Sequence, residues 1–219
     1  PTRIGPKDVF LHLAAVVTLY VSAASFITLL FQYINVLVPN PLAGDHYYYQ
    51  GYDGPLQFAI ASLLIVFPAF LVISHLLERD YRAQPAHRVS TLKRWLTYFT
   101  LFAAAAIVIG DLVTLIYNFL GGGMTLQFVL KSASFLLVAG AVFAHYLREV
   151  RASVPPAKAF VYAVSIVVAI ATIGAFFLVG SPFAARNRTF DERRSNNLQN
   201  IQGQIVEYWR LKDKLPATL

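Results

Sequence analysis

The sequence predicts an all-α integral membrane protein. Five helices cross the membrane, the first four as two repeated hairpins in a pseudo-two-fold bundle, and a C-terminal amphipathic helix lies outside it. Three observations carry this prediction. Hydrophobic residues make up 57% of the 219-residue chain and charged residues only 13%, with a mean hydropathy of +0.57; soluble domains run nearer a quarter charged. Five apolar stretches, near 9–37, 56–77, 95–120, 125–147 and 159–180, approach or exceed the roughly 20 residues that cross a bilayer. The chain also aligns with itself, hairpin on hairpin.

The first stretch, 9–37, is too long for a signal peptide and lacks a small-residue cleavage site. Arg3 and Lys7 precede it, and Arg79, Arg82, Arg88, Lys93 and Arg94 lie between the second and third stretches. Arg148, Arg151 and Lys158 lie between the fourth and fifth, whereas the alternate loops 38–55 and 120–125 hold no Lys or Arg. This asymmetry puts the N-terminus in the cytoplasm and the C-terminus outside, as expected of a multi-pass cytoplasmic (inner) membrane protein. The tail, with Arg186, Arg188, Arg193 and Arg194, is the one basic segment on the other side. A formal charge of +7 spread in this way reads as topology and not as a nucleic-acid surface.

The second and fourth stretches match at an offset of 70, with eight identities over the 22 positions from 56 to 77, including Gln57/Gln127, Ser62/Ser132 and His75/His145. The first and third match at an offset of 86, Ile27–Tyr33 against Val113–Phe119. Helices 1–2 and 3–4 are thereby expected to be two copies of one hairpin, related by an axis along the membrane normal, as in parallel-repeat membrane folds. In that register Asp111 replaces Ser25 and Lys131 replaces Ala61, so only the second copy is charged.

Asp111 and Lys131 are the two charges that fall inside the apolar stretches. Counting from Gly121 of the turn Gly121-Gly122-Gly123, Asp111 lies ten residues back and Lys131 ten residues on, so both are expected at the same height on neighbouring antiparallel helices, roughly 10–15 Å below the hairpin's outer end. A lone charge in mid-membrane costs about 2.5–3.5 kcal/mol on insertion scales, so an intramembrane ion pair is expected. Polar residues gather at matching positions. Asp111, Thr114 and Asn118 share one face of helix 3, and Gln127, Lys131 and Ser134 share one face of helix 4. Helix 1 carries Thr18, Ser22, Ser25, Thr28, Gln32 and Asn35 as a continuous stripe. The expected site is a polar, outward-facing cavity lined by Ser22, Ser25, Thr28, Gln32, Thr114, Asn118, Gln127 and Ser134 around the charged pair. Above it, His46, Tyr47, Tyr48, Tyr49 and Tyr52 form an outer loop that reads as an interfacial aromatic belt or a lid.

The chain has no cysteine, which removes disulfides, thiolate metal sites and cysteine catalysis. It shows no metal-ligand cluster, phosphate-cradling glycine loop or nucleophile–base arrangement. No catalytic residue, metal or cofactor is therefore assigned, and an enzyme is not expected.

Beyond the fifth stretch, Thr189 before Asp191-Glu192 is a helix-start signal, and Leu198, Ile201, Ile205 and Tyr208 form an amphipathic stripe that suits a partner or a membrane surface. The segment VVAIATIGAFFLVG running into RRSNNLQNIQ resembles the first helix of type IV pilin-like proteins, without their processing glycine. The stretches TLLFQYIN, GDLVTLIYNFLGGG with the lysine that follows, and the tail from DERR to LP look like an uncharacterised bacterial membrane family, domain of unknown function 5671. That resemblance implies a helical membrane protein and no particular chemistry.

The domains expected are 1–150, a four-helix transmembrane bundle of hairpins 9–82 and 95–151; 151–182, a fifth transmembrane helix; and 183–219, an extracytoplasmic helical tail. The function expected is a transport-like or sensing module working through Asp111 and Lys131. The alternative is a non-conducting scaffold that docks a second copy or a membrane-protein partner through Leu198, Ile201, Ile205 and Tyr208. The lipid bilayer is the environment in both, and nucleic acid a partner in neither.

Overall fold

A computed structural model describes residues 5–38, 53–83, 91–152, 158–179 and 182–212. Every regular element among them is an α-helix: α1 (Pro6–Leu37), α2 (Asp53–Ala83), α3 (Thr91–Leu120), α4 (Leu126–Ala152), α5 (Lys158–Val179) and α6 (Pro182–Lys212). The first five contain spans long and apolar enough to cross a membrane, namely Pro6–Leu37, Gly54–Tyr81, Leu92–Leu120, Leu126–Arg148 and Phe160–Phe177. Each falls on one of the five stretches, as the arithmetic of 1.5 Å per residue against a hydrocarbon core of about 30 Å requires. This is the helix content of a multi-pass membrane protein.

Two compact units divide the chain at α5, Pro1–Ala175 and Phe176–Leu219. In the first unit α1 is the hub. It packs most extensively on α2, then on α4, and touches α3; α3 in turn packs on α4. The α1–α4 packing has no equally extensive α2–α3 counterpart among the described residues. An exact two-fold exchanging the hairpins would demand one, so the bundle is asymmetric around α1.

Polar contacts tie the helices together within the apolar mass. The imidazole of His12, buried, lies 2.7 Å from the Asp8 carbonyl through Nδ1 and 2.7 Å from Tyr81 Oη through Nε2. A carbonyl only accepts, so Nδ1 carries the proton and, in the neutral ring, Tyr81 donates to Nε2. Tyr20 donates to Thr100 Oγ1 at 3.0 Å, joining α1 to α3. Tyr33 donates to the Ala171 carbonyl of α5 at 2.7 Å, a close approach that Gly174 permits, since a Cβ there would stand 2.6 Å from the hydroxyl.

The second unit contains the last residues of α5 and all of α6. Its helix starts at Pro182, seven residues before the expected signal at Thr189, because proline suits the first helical turn and nothing from 183 to 188 interrupts it. Gly203 lies within the helix and does not break it.

Candidate functional site

The α3–α4 hairpin sets the height of the two charged residues. Three backbone bonds close α3: Gly121 N–H to Tyr117 O, Gly122 N–H to Phe119 O and Gly123 N–H to Asn118 O. The last two define a Schellman cap, and Gly122, at φ +69°, takes the left-handed position that strains any residue with a Cβ. Two residues on, Thr125 Oγ1 accepts the Phe128 N–H at 3.1 Å and caps the start of α4. The chain thus reverses in a few residues. Asp111 lies about 14 Å from the end of α3 and Lys131 about 8 Å from the start of α4 by helical rise, and the hydrogen bond from Ser132 to Asp111 shows that the two segments meet at this level.

They do not form the expected ion pair. Ser132 Oγ donates to Asp111 Oδ2 at 2.6 Å, while Lys131 Nζ lies 5.9 Å from the centroid of the Phe31 ring on α1. No nitrogen–oxygen contact within 4.0 Å joins Asp111 to Lys131. The correction has a simple geometric cause. Equal height fixes position along the helices but not rotation about them, and consecutive helical residues point about 100° apart. Ser132 therefore faces α3 while Lys131 is turned toward α1. The Ser–Asp distance is that of a charge-assisted O–H···O⁻ bond, and the lysine sits at the outer limit of a cation–π contact.

Toward the turn, inward positions on α3, α4 and α1 become more exposed. On α3 the inward positions Thr97, Thr100 and Ala104 are buried, but Asp111, Leu115 and Asn118, on the same face, are only partly covered. On α4 Val138 and Ala139 are buried whereas Lys131 and Gln127 are partly covered. On α1 Ser22, Ser25 and Leu29 are buried, and Gln32 is again partly covered. Asp111 and Lys131 are themselves partly covered, beside the buried Ser132.

The expected lining divides into three groups. Gln127 Nε2 donates to Asn35 Oδ1 at 3.0 Å, and Asn35 Nδ2 donates to Gln32 Oε1 at 3.3 Å, an amide chain linking α4 to α1 one turn nearer the hairpin end than Lys131. Thr28, Thr114 and Ser134 donate to the carbonyls of Ala24, Gly110 and Leu130 on their own helices, and Asn118 donates likewise to Thr114 O. Ser22 and Ser25 are buried deeper, and Ser22 Oγ is a buried side-chain oxygen without a hydrogen-bond partner. His46, Tyr47, Tyr48, Tyr49 and Tyr52 lie outside the described residues. On α6, Leu198, Ile201 and Tyr208 are exposed, as are the further apolar residues Val206, Trp209 and Leu211, while Ile205 is partly covered.

Sequence reasoning passed over Ser132 and Phe31. The repeat alignment did flag Ser132, as the counterpart of Ser62, but as a marker of register and not as a ligand to Asp111. Nothing in the sequence marks Phe31, one of 17 phenylalanines in an apolar chain, as the neighbour of Lys131.

The profile of the family described as Domain of unknown function (DUF5671) matches residues 8–146, which spans α1 to most of α4 and contains the whole candidate site. The tail from DERR to LP, quoted above for the resemblance, lies outside the matched segment. No curated protein and no solved structure matches the chain.

Proposed function

The chain belongs to the DUF5671 family, a domain of unknown function, and from that premise we propose that its first four helices form a transport-like or sensing module. Its working part is the opening between α1, α3 and α4, with Asp111 and Lys131 at its base. The observation that carries this reading is the separation of the two charges. A pair retained only for register would be expected to close on itself, because an ammonium and a carboxylate attract far more strongly in a membrane interior than in water. Here the carboxylate is held by Ser132 and the ammonium lies apart over Phe31, at the level where inward faces become partly exposed.

The opening faces the outer side if the basic loops are cytoplasmic, as the Lys and Arg distribution supports. The two hairpins descend from one duplicated unit, and the repeat register supports this origin. It maps the Asp111–Ser132 contact onto Ser25 and Ser62, two hydroxyls at the corresponding heights. Of the two copies, only the second carries the charges.

Purified protein in liposomes tests the reading. The native chain is expected to pass or respond to a charged or polar species under a gradient or voltage, and Asp111→Asn with Lys131→Met to fold but lose that response. A folded native chain that moves and senses nothing under any gradient would overturn it. A second reading rests on α6, whose apolar residues Leu198, Ile201, Val206, Trp209 and Leu211 are all exposed. In it the chain is a scaffold, the pilin-like tail docks a partner, and the charges are structural. Removal of residues 186–219 would then abolish partner capture, while the double variant at 111 and 131 would keep it.

A further inference from the structure

We propose that the opening between α1, α3 and α4 binds a small zwitterion, an organic molecule with one ammonium and one carboxylate group. Lys131 would receive its carboxylate and Asp111 its ammonium. The inference rests on the reading of this opening as a working site and names the class of molecule it takes.

The unused hydrogen-bonding capacity points to such a ligand. Asp111 spends Oδ2 on Ser132, and its Oδ1 has no donor among the described residues. Lys131 has three N–H donors and gives none to an acceptor among the described residues; its ammonium lies over the Phe31 ring. One turn nearer the hairpin end, the amide chain leaves Gln32 Nε2 and Gln127 Oε1 unengaged, a donor and an acceptor for further polar groups. Two opposite charges therefore stand at one level, separated, each with capacity to spare.

Charge balance selects the ligand. A simple anion drawn to Lys131 would enter beside the Asp111 carboxylate, and a simple cation drawn to Asp111 would enter beside the Lys131 ammonium. In a low-dielectric span either brings an uncompensated charge, whose cost runs to several kcal/mol. A zwitterion adds no net charge and supplies each fixed group with its opposite. Ser132 holds Asp111 in place, so the ligand does not have to pull it away from Lys131 before binding. Phe31 offers an apolar wall to the short carbon chain between the ligand's charged ends.

The test is calorimetric titration of the full chain in lipid nanodiscs with glycine, β-alanine and γ-aminobutyrate, which space the two charges progressively, and with acetate and methylammonium as the separated charges. At least one of the three zwitterions is expected to bind saturably, and neither acetate nor methylammonium to do so in the same range. Lys131→Met and Asp111→Asn are each expected to weaken that binding at least ten-fold, and Lys131→Arg to retain most of it, which separates lost recognition from lost folding. Absence of binding by all three zwitterions, equal binding of acetate alone, or undiminished binding in folded Lys131→Met would overturn the proposal. Saturable zwitterion binding without flux or response in liposomes would support this site and count against the transport-like reading. Flux without zwitterion binding would overturn this site alone.

Discussion

Ser132→Ala is the most informative single change in the bundle. Ser132 is 4% exposed, and among the described residues its hydroxyl is the one donor to Asp111, at 2.6 Å. Alanine removes one oxygen and leaves little cavity, so the cost isolates the hydrogen bond. Bonds to charged groups contribute about 1.5–3 kcal/mol in water-soluble proteins, whereas interhelical bonds in membranes average about 0.6 and reach about 1.7. The acceptor here is a carboxylate, which raises the value, and it is partly exposed, which lowers it. We expect a loss of about 1–2 kcal/mol, a five- to thirty-fold change in the folding equilibrium. Reversible unfolding in bicelles measures it, with Ser134→Ala as control; that hydroxyl bonds only to Leu130 O of its own helix, and its removal should cost less than about 0.5 kcal/mol. A double-mutant cycle with Asp111→Asn should return most of the loss as coupling. Ser132→Ala indistinguishable from native, or additivity with Asp111→Asn, would refute the assignment of Ser132 as the partner of Asp111.

Other predictions follow from the same contacts. Gly122→Ala, at φ +69°, is expected to destabilise the hairpin by about 1–2 kcal/mol, while Gly140→Ala, in helical backbone with open space around it, should be neutral or slightly stabilising; the same unfolding assay compares them. Thr125→Ala removes the cap on the Phe128 N–H and should cost about 1 kcal/mol, with Thr125→Ser recovering most of it. Gly174→Ala would place a Cβ 2.6 Å from Tyr33 Oη and displace the hydroxyl from Ala171 O, at about 1 kcal/mol; in Tyr33→Phe the same glycine substitution should cost less, because the bond is already gone.

What the sequence made legible was governed by length and height. Runs of more than 20 apolar residues locate α1 to α5 within a few positions, because a bilayer leaves the chain few alternatives. Three consecutive glycines placed the α3–α4 reversal, but the ten-residue count from Gly121 to Lys131 includes the turn itself, because α4 begins only at Leu126. Counting along a helix does not reveal which neighbour each side chain faces. Lys131 and Ser132 are one residue apart, and the rotation between them decided which of the two meets Asp111. Tyr33 was equally opaque, since its acceptor is a backbone carbonyl that any residue at 171 would offer. The start of α6 was misplaced because Thr189 carries a good cap signal inside a segment already helical from Pro182. The amide link from Gln127 to Asn35 was nearer to hand, for both residues stood on faces already picked out as polar.

The central claim is that Asp111 and Lys131 lie at the base of a water-accessible opening on the hairpin-turn side of the bundle. The chain has no native cysteine, so single-cysteine variants report access without background. Lys131→Cys in sealed proteoliposomes, treated with a charged, membrane-impermeant thiosulfonate, tests the claim most directly. Ile109→Cys, at a 61% exposed position on α3, stands for a side chain bathed in lipid, and Ala104→Cys, at a 5% exposed position, for the packed interior. The account predicts rapid modification at position 131 from the turn side alone and slow modification at both controls. Reactivity at 131 no faster than at 104 and 109, or equal from either side of the membrane, would contradict it.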